Sequence, residues 1–286
     1  MQLSKEQHQK QIEKFIRKMP SLSTTVGKVL EICSRTDASP NELNKVVSLD
    51  PILTGQVLKL INSSYYSLVA KVTSLTRAIT MLGMNTVKNM ALSTAVIRTV
   101  SSAKKSRSLP TSKFWAHSIG VGACAKLLAA ASEVPVMDRE EYFVAGLLHD
   151  LGKVPFGDEY SEVLSIAKRE RASLVQVEQD LLGIDHQEVG LMIAEKWKLN
   201  PVIKGCIGNH HHVGQAEEDY RRQIAFISLA NEYINIFDFG YAGDPFPREE
   251  DIPPLLEISG LSWQDYAGVR EGVEKEIEKA QIFLQI

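Results

Sequence analysis

The histidines of this chain are concentrated in one stretch, in contexts that suit metal binding. Six of the seven lie between His117 and His212. The densest points are the pair His149-Asp150 and the run His210-His211-His212. Histidine is the commonest metal ligand, and its neutral imidazole is available at physiological pH. Because an aspartate beside a histidine can bridge two ions, this stretch predicts a metal centre.

The pair His149-Asp150 follows an apolar segment that is typical of a buried helix. Neighbouring helical residues point about 100° apart, so the pair can hold one ion from two angles, or Asp150 can bridge to a second. Lys153 follows closely and could direct its ammonium group at a substrate phosphate. Two such ions can activate a water and clamp a phosphate ester. His186, at a predicted helix start, and the His210-His211 pair add nitrogen donors from elsewhere in the chain.

Each histidine also has a simpler interpretation. His186 could be a surface residue or a cap, and His117 could be a hydrogen-bonded core residue. We expect His212 to be exposed to solvent, and His8 lies in a polar leader that carries no signal. The spacing alone does not decide, because metal sites in helical bundles draw ligands from several helices at no fixed separation.

Composition excludes several classes of function. A net charge of -3 over 286 residues gives no broad attraction for nucleic acid or anionic lipid. The basic stretch Lys104 to Arg107 is short and lacks interleaved aromatic residues, so nucleic-acid binding is not expected. The cysteines are Cys33, Cys124 and Cys206, which form no CxxC pair, and we interpret them as reduced core thiols. Without a secretion signal or an evident membrane segment, the expected location is the cytoplasm, with no membrane role.

The apolar residues recur at three- and four-residue steps, which predicts an all-α fold. We expect an N-terminal multi-helix bundle packed on a second helical bundle. The predicted divisions are an N-terminal helix (1–18), a first bundle (19–100), a linker (101–112), a second bundle with the metal site (113–236), and a loop with a C-terminal helix (237–286). The basic linker could be a phosphate-binding arm, but a solvated connector is favoured.

Capping residues predict several helix boundaries. Ser74 and Gly83 are expected to bound one helix, and Asp185 with Glu188 forms a capping box at the start of another. A helix is predicted from about Asp138 to Leu151. The Gly- and Pro-rich segment 237–254 is interpreted as a loop, followed by one final helix from Ser262 to Leu284.

The sequence GLLHDLGK, residues 146–153, resembles the signature of the HD superfamily of metal-dependent phosphohydrolases. Further motifs resemble a narrower group, the HDOD (HD-related output domain) family, and the likeness covers roughly residues 19 to 236. They occur in the family's order, at residues 19–22, 49–54, 58–66, 78–83, 114–118, 185–190 and 207–211. The resemblance implies an HD-like second bundle.

The resemblance also implies a ligand set. The positions that match metal ligands of the superfamily are His117, His149, Asp150, His186, His210 and His211. The position of the usual late aspartate is occupied by Asn231, which offers a carbonyl oxygen without a charge and should weaken binding of a divalent ion. In the HD-GYP branch of the superfamily, which hydrolyses cyclic dinucleotides, a Gly-Tyr-Pro motif follows the paired histidines. No such motif follows His211 closely, so this activity is disfavoured.

Two hypotheses follow. The favoured one is an HDOD-type signal-transduction output module that binds metal, is weakly or non-catalytic, and acts through an unidentified signalling protein. The alternative is an active phosphohydrolase acting on a nucleotide or another phosphate ester, with Asp150 and Lys153 as catalytic residues. In both, histidine-rich ligation with one carboxylate suits one or two divalent transition ions, namely iron, nickel, manganese or zinc.

Overall fold

A computed structural model describes residues 4–62, 68, 70–101, 108–136, 138–244 and 246–280. Within these ranges all regular secondary structure is helical, which confirms the all-α prediction. The first six helices are α1 (Lys5–Lys18), α2 (Thr24–Cys33), α3 (Pro40–Val47), α4 (Pro51–Ile61), α5 (Leu75–Leu82) and α6 (Met84–Ser101).

The remaining helices form the second bundle and its C-terminal extension. They are α7 (Thr111–Ala131), α8 (Arg139–Leu148), α9 (Tyr160–Glu170), α10 (Leu174–Leu182), α11 (His186–Lys196), α12 (Pro201–Asn209), α13 (Glu218–Ile236), α14 (Ile252–Ser259), α15 (Trp263–Gly268) and α16 (Arg270–Ala280). Short 3-10 segments lie at Leu151–Glu159, Val213–Gln215 and Glu249–Asp251.

Helix α6 joins the two bundles. Its first half contributes Val87 and Met90 to the core that α2 to α5 enclose. Its second half contributes Val96 and Ile97 to the core of the second bundle. Because one continuous helix takes part in both cores, the two bundles are packed together through it.

Helix α1 packs on the second bundle, against α10, α11 and the segment Leu151–Glu159. The Lys196 ammonium donates to the carbonyl of Ile16 at 2.6 Å. The indole of Trp197 donates to the carbonyl of Pro20 at 3.0 Å. His8, to which the sequence assigned no role, is buried and lies 3.2 Å from the Glu159 carboxylate. The predicted leader is thus a structural part of the second bundle.

Helix α7 is the centre of the second bundle, where it packs against α8, α13 and α16. Gly122 and Gly146 permit the close approach of α7 and α8, since a Cβ on Gly146 would lie 2.7 Å from the Gly122 Cα. Contrary to the sequence expectation, α7 is long and apolar enough to cross a membrane by length and composition. However, 72% of that stretch is buried inside the protein, as in a core helix.

Several boundary predictions hold and others do not. Ser74 caps α5, Gly83 ends it with a φ of 83°, and the Asp185 capping box begins α11. The helix predicted to reach Leu151 ends at Leu148 and continues as a 3-10 segment. Residues 102–107 of the predicted linker lie outside the described residues.

The C-terminal prediction was wrong in two respects. Part of the predicted loop forms α14, whose prolines lie in its first turn. The backbone N–H groups of a first turn have no partner within the helix, so proline, which lacks this N–H, is tolerated there. The single final helix is two helices, α15 and α16, with Val269 between them. Its predicted end, 281–286, lies outside the described residues.

The cysteines agree with the interpretation as reduced thiols. All three are free, with Cys124 and Cys206 buried and Cys33 half-buried. Burial raises the pKa of the Cys33 thiol to about 11. A thiol of that pKa is protonated at neutral pH, so Cys33 is expected to be unreactive.

Candidate metal centre

The fold brings the six sequence-predicted ligands into one buried cluster. Among the described residues, two groups each have all their ligand atoms within 4.8 Å of one another, and Asp150 belongs to both. The first group contains Asp150, His186, His210 and His211, and the second contains His117, His149 and Asp150. The ligands come from α7, the end of α8, the start of α11 and the end of α12. His212 is exposed, as expected, and contacts Gln187.

Asp150 lies between the two groups, with one carboxylate oxygen toward each. Its Oδ1 is 3.5 Å from His186 Nε2 and 3.6 Å from His210 Nε2. Its Oδ2 is 3.3 Å from His149 Nε2 and 3.7 Å from His117 Nε2. One oxygen of Asp150 is thus available to each of the two groups of candidate ligands, so Asp150 could serve an ion held by either group.

Gly152 allows the segment that carries Asp150 to lie directly against α11, which carries His186. A Cβ at this position would lie 1.8 Å from the His186 carbonyl oxygen and 2.5 Å from the Gly190 amide nitrogen. Both of these are backbone atoms of α11, which cannot yield as a flexible side chain would. The glycine therefore lets Asp150 approach His186 closely.

Hydrogen bonds on the far side of the rings set the histidine tautomers. His149 Nδ1 lies 2.6 Å from the Gly146 carbonyl, and His210 Nδ1 lies 3.1 Å from the carbonyls of Cys206 and Ile207. Because a carbonyl oxygen can only accept, each Nδ1 must carry the proton. The lone pair is then on Nε2, the atom that faces Asp150, which is the arrangement a metal-binding histidine needs.

A buried carboxylate that sequence reasoning missed orients the next histidine. Glu178, on α10, is fully buried and lies 2.7 Å from His186 Nδ1 through Oε2. It also accepts the Tyr160 hydroxyl and the His186 backbone N–H. Burial raises the pKa of Glu178 to about 8. A signal was available, since Glu178 shares a helix face with the apolar residues Leu174 and Leu182, four positions to either side.

Replacing Glu178 with glutamine is expected to lower the metal affinity of the cluster by about 10- to 100-fold, the usual cost of losing the partner of a ligand histidine. An amide has one acceptor oxygen where the carboxyl group has two, so it cannot accept from both Tyr160 and His186 in the present arrangement, and the His186 ring loses its fixed orientation. Competition with a chromophoric chelator measures the affinity, and Glu195→Gln, at an exposed position of α11, is the matched control. Equal affinities in the two variants would show that Glu178 does not support a ligand.

Lys153 is buried and paired within the cluster. Its ammonium lies 2.8 Å from Asp150 Oδ2, and only 3% of the residue is exposed. Although burial opposes both charges, the Lys153 ammonium helps to hold the pKa of Asp150 well below its usual range, and Asp150 in turn raises the pKa of Lys153. In this structure the lysine therefore neutralises Asp150 instead of projecting toward solvent.

The donor set fits a transition-metal ion. His117 Nε2, His149 Nε2, Asp150 Oδ1 and His211 Nε2 are buried without a hydrogen-bond partner, which is costly unless a cation satisfies them. Ligands about 2.0–2.2 Å from one ion lie about 3.0–3.5 Å apart, close to the 3.5 and 3.6 Å found on the Oδ1 side.

Four histidines of the cluster, namely His117, His186, His210 and His211, are in the protonation state that metal ligation needs. Burial lowers the pKa of His117 to about 3. It also lowers the pKa values of His186, His210 and His211. These rings are then neutral at physiological pH, so they can bind an ion without first releasing a proton.

Two further residues adjoin the cluster. Asn231 is buried beside His117. Asp244, from the segment between α13 and α14, has its Oδ2 3.7 Å from His211 Nε2. Sequence reasoning missed Asp244 because a segment without helical periodicity gives no indication of which helices it lies against.

The family assignment rests on a match that covers the first bundle and continues through the second as far as α12. The family model of the HDOD domain matches residues 19–213, which is more than half of the chain. The chain belongs to the HDOD family. This assignment agrees with the resemblance drawn from the motifs, although the matched range ends at residue 213 and so does not reach α13.

Similar proteins share the fold of this HDOD chain. A solved HDOD domain protein of unknown function from Geobacter sulfurreducens has a TM-score of 0.78 at 24% identity, over 98% of this chain and 99% of that one. A Shewanella amazonensis protein, named provisionally as a phosphohydrolase, has a TM-score of 0.71 at 23% identity, over 96% and 98%. A Marinobacter aquaeolei protein, named provisionally as a signal transduction protein, has a TM-score of 0.72 at 18% identity, over 98% and 65%.

A curated relative extends well beyond the HDOD chain. An uncharacterized protein of Treponema pallidum (strain Nichols) is 25% identical over 234 residues, which cover 80% of this chain and 45% of the relative. The chain thus spans less than half of the length of that relative.

Proposed function

We propose that the chain is a cytoplasmic regulatory module that holds a divalent transition ion in its second bundle and acts by binding a signalling protein. The observation that carries the proposal is the closed state of the cluster. His149, Asp150 and His186 are at most 1% exposed. A nucleotide-sized phosphate ester would need an open approach to these groups.

The pairing of Lys153 with Asp150 supports the same conclusion. A lysine that steadied a substrate phosphate would have to leave Asp150, at the cost of breaking a buried ion pair. Asn231, at the position of the usual late aspartate, reduces the negative charge available to a pair of ions. Both features favour one retained ion over a pair arranged for hydrolysis.

The ion would be held by Asp150, His186, His210 and His211, with His117 and His149 offering a second position. When bound, a divalent ion would neutralise Asp150 and could polarise a water. That chemistry is also what the alternative function, phosphate-ester hydrolysis, would use. The provisional names of the Shewanella and Marinobacter proteins divide between the same two functions, and their likeness to this chain concerns the fold.

The packing offers a route from the cluster to the first bundle. His149 immediately follows α8, and α8 packs against α6, the helix shared by both cores. A displacement of the end of α8 would therefore shift the residues of α6 that pack against it. This connection supports a module whose metal state is sensed by a partner at the first bundle.

The test uses metal-loaded protein with a panel of nucleotides, cyclic dinucleotides and p-nitrophenyl phosphate. We expect no turnover above that of the Asp150→Asn variant with iron, nickel, manganese or zinc. Turnover in the wild type that the Asp150→Asn change abolishes would overturn the proposal and establish the alternative.

Amide hydrogen exchange on the same two proteins tests the regulatory part. Metal loading is expected to slow exchange in α6 as well as in α8 in the wild type, with no effect in Asp150→Asn. Slowing confined to α8 and the ligand residues would contradict transmission to the first bundle.

A further inference from the structure

The segment that follows α13 is held against the start of α7, next to a ligand. The Tyr241 backbone N–H donates to the Lys113 carbonyl at 3.0 Å. Gly240 has a φ of 78°, and a Cβ there would lie 2.3 Å from the His117 backbone nitrogen. Only glycine fits this combination of left-handed backbone and close approach. The segment is therefore built to lie over His117.

The contacts continue on both sides of Asp244. Ala242 is buried in the core of the second bundle, and a Cβ on Gly243 would lie 2.7 Å from the Leu164 side chain. Beyond Asp244, the Arg248 backbone N–H donates to the Glu232 carboxylate on α13 at 2.7 Å. Because the segment is anchored before and after Asp244, the position of this carboxylate is set by the fold.

Asp244 is directed at the metal cluster. Its Oδ2 lies 3.7 Å from His211 Nε2, too far for a hydrogen bond, and that nitrogen is buried without a partner. Its side chain is only 17% exposed. A donor nitrogen and a carboxylate oxygen that face each other at this separation are only a few tenths of an ångström further apart than two ligands of one ion, which lie about 3.0–3.5 Å apart.

We infer that Asp244 is a second carboxylate ligand of the ion position formed by Asp150, His186, His210 and His211. Its side chain lies beside His211 but outside the group whose ligand atoms are all within 4.8 Å of one another, so it reaches the ion by a small movement past His211. This inference rests on the proposed metal-binding function. Asp244 would supply the negatively charged ligand that the superfamily's late aspartate provides and that Asn231, at that position, does not. With Asp150 alone, the ligand set carries one negative charge against a divalent ion. With Asp244 it carries two, which favours retention of the ion.

The test compares Asp244→Asn with Asp238→Asn, a matched change at an exposed position of the same segment. Affinity for Ni²⁺ and Co²⁺ is measured by competition with a chromophoric chelator, and the Co²⁺ absorption spectrum reports the ligand set. We expect Asp244→Asn to bind at least about tenfold more weakly and to shift the Co²⁺ bands. Asp238→Asn should behave as the wild type does.

The outcomes separate this inference from the proposed function. If the wild type binds neither ion, the metal-binding function itself fails. If the wild type binds and Asp244→Asn has the same affinity and spectrum, Asp244 is not a ligand although the centre exists. Thermal unfolding of the metal-free variants identifies a misfolded protein, and in that case Asp244→Ser, which removes the charge with a smaller side chain, is measured by the same assays.

Discussion

Replacing Asp150 with asparagine is expected to abolish stoichiometric metal binding. Asp150 is the residue shared by both ligand groups, and its two oxygens face different histidines. An amide keeps the shape but loses the charge and one acceptor. Metal content after reconstitution, and the rise in unfolding temperature on adding metal, measure the effect. Because a bound ion stabilises the folded state by mass action, that rise should disappear in the variant.

The same change has a second cost in the metal-free protein. It leaves the Lys153 ammonium buried without the carboxylate that lies 2.8 Å away. Removing one partner of a buried ion pair costs about 3–5 kcal/mol. The double variant Asp150→Asn/Lys153→Met should recover most of this loss in urea unfolding and still bind no metal.

The control for Asp150 is Asp180→Asn, at an exposed position of α10. Its stability should change by no more than about 0.5 kcal/mol, with unaltered metal content. If Asp150→Asn retained the metal content and affinity of the wild type, Asp150 would not be a ligand, and the shared position assigned to it between the two groups would be wrong.

Replacing Gly152 with alanine is expected to give the largest loss of stability among small substitutions in the second bundle, at least about 3 kcal/mol, at or above the upper end of overpacking effects. The added methyl group would lie 1.8 Å from a backbone oxygen of α11, so the segment and the helix must separate. Metal affinity should fall as well, because His186 is then displaced from Asp150. Urea unfolding measures the first effect and chelator competition the second.

The matched control is Gly55→Ala. Gly55 lies within α4, and a Cβ there meets nothing within 4 Å. Alanine is favoured over glycine inside a helix by up to about 1 kcal/mol, so this variant should be slightly more stable. If both variants had wild-type stability and metal affinity, the close approach at Gly152 would not be needed to assemble the cluster.

The sequence predicted most of the helices, and it indicated the candidate ligands, because both have local signals. The Asp185 side chain caps α11 by accepting hydrogen bonds from backbone N–H groups two and three positions further on. Interactions over so short a range can be predicted from the sequence without knowing the fold. The ligand histidines were recognisable from motifs, and their convergence follows from the helical bundles that those motifs imply. The family resemblance was needed to group these predictions into one site, because spacing alone could not show that His117 and His211 lie near Asp150.

The parts that were missed depend on long-range packing. Glu178 supports His186 across the gap between two helices, and Asp244 reaches His211 from an irregular segment. The pairing of Lys153 with Asp150 was missed for a different reason. The lysine is only three residues away, but whether its side chain turns inward depends on how the surrounding helices bury it.

The most direct measurement of the metal centre is anomalous X-ray scattering from crystals of protein purified without a histidine tag, combined with elemental analysis. We expect at least one iron, nickel, manganese or zinc ion per chain. The strongest anomalous peak should lie among Asp150, His186 and His210. A cluster that remains empty after reconstitution with each of these metals, or a peak elsewhere in the chain, would contradict the metal centre.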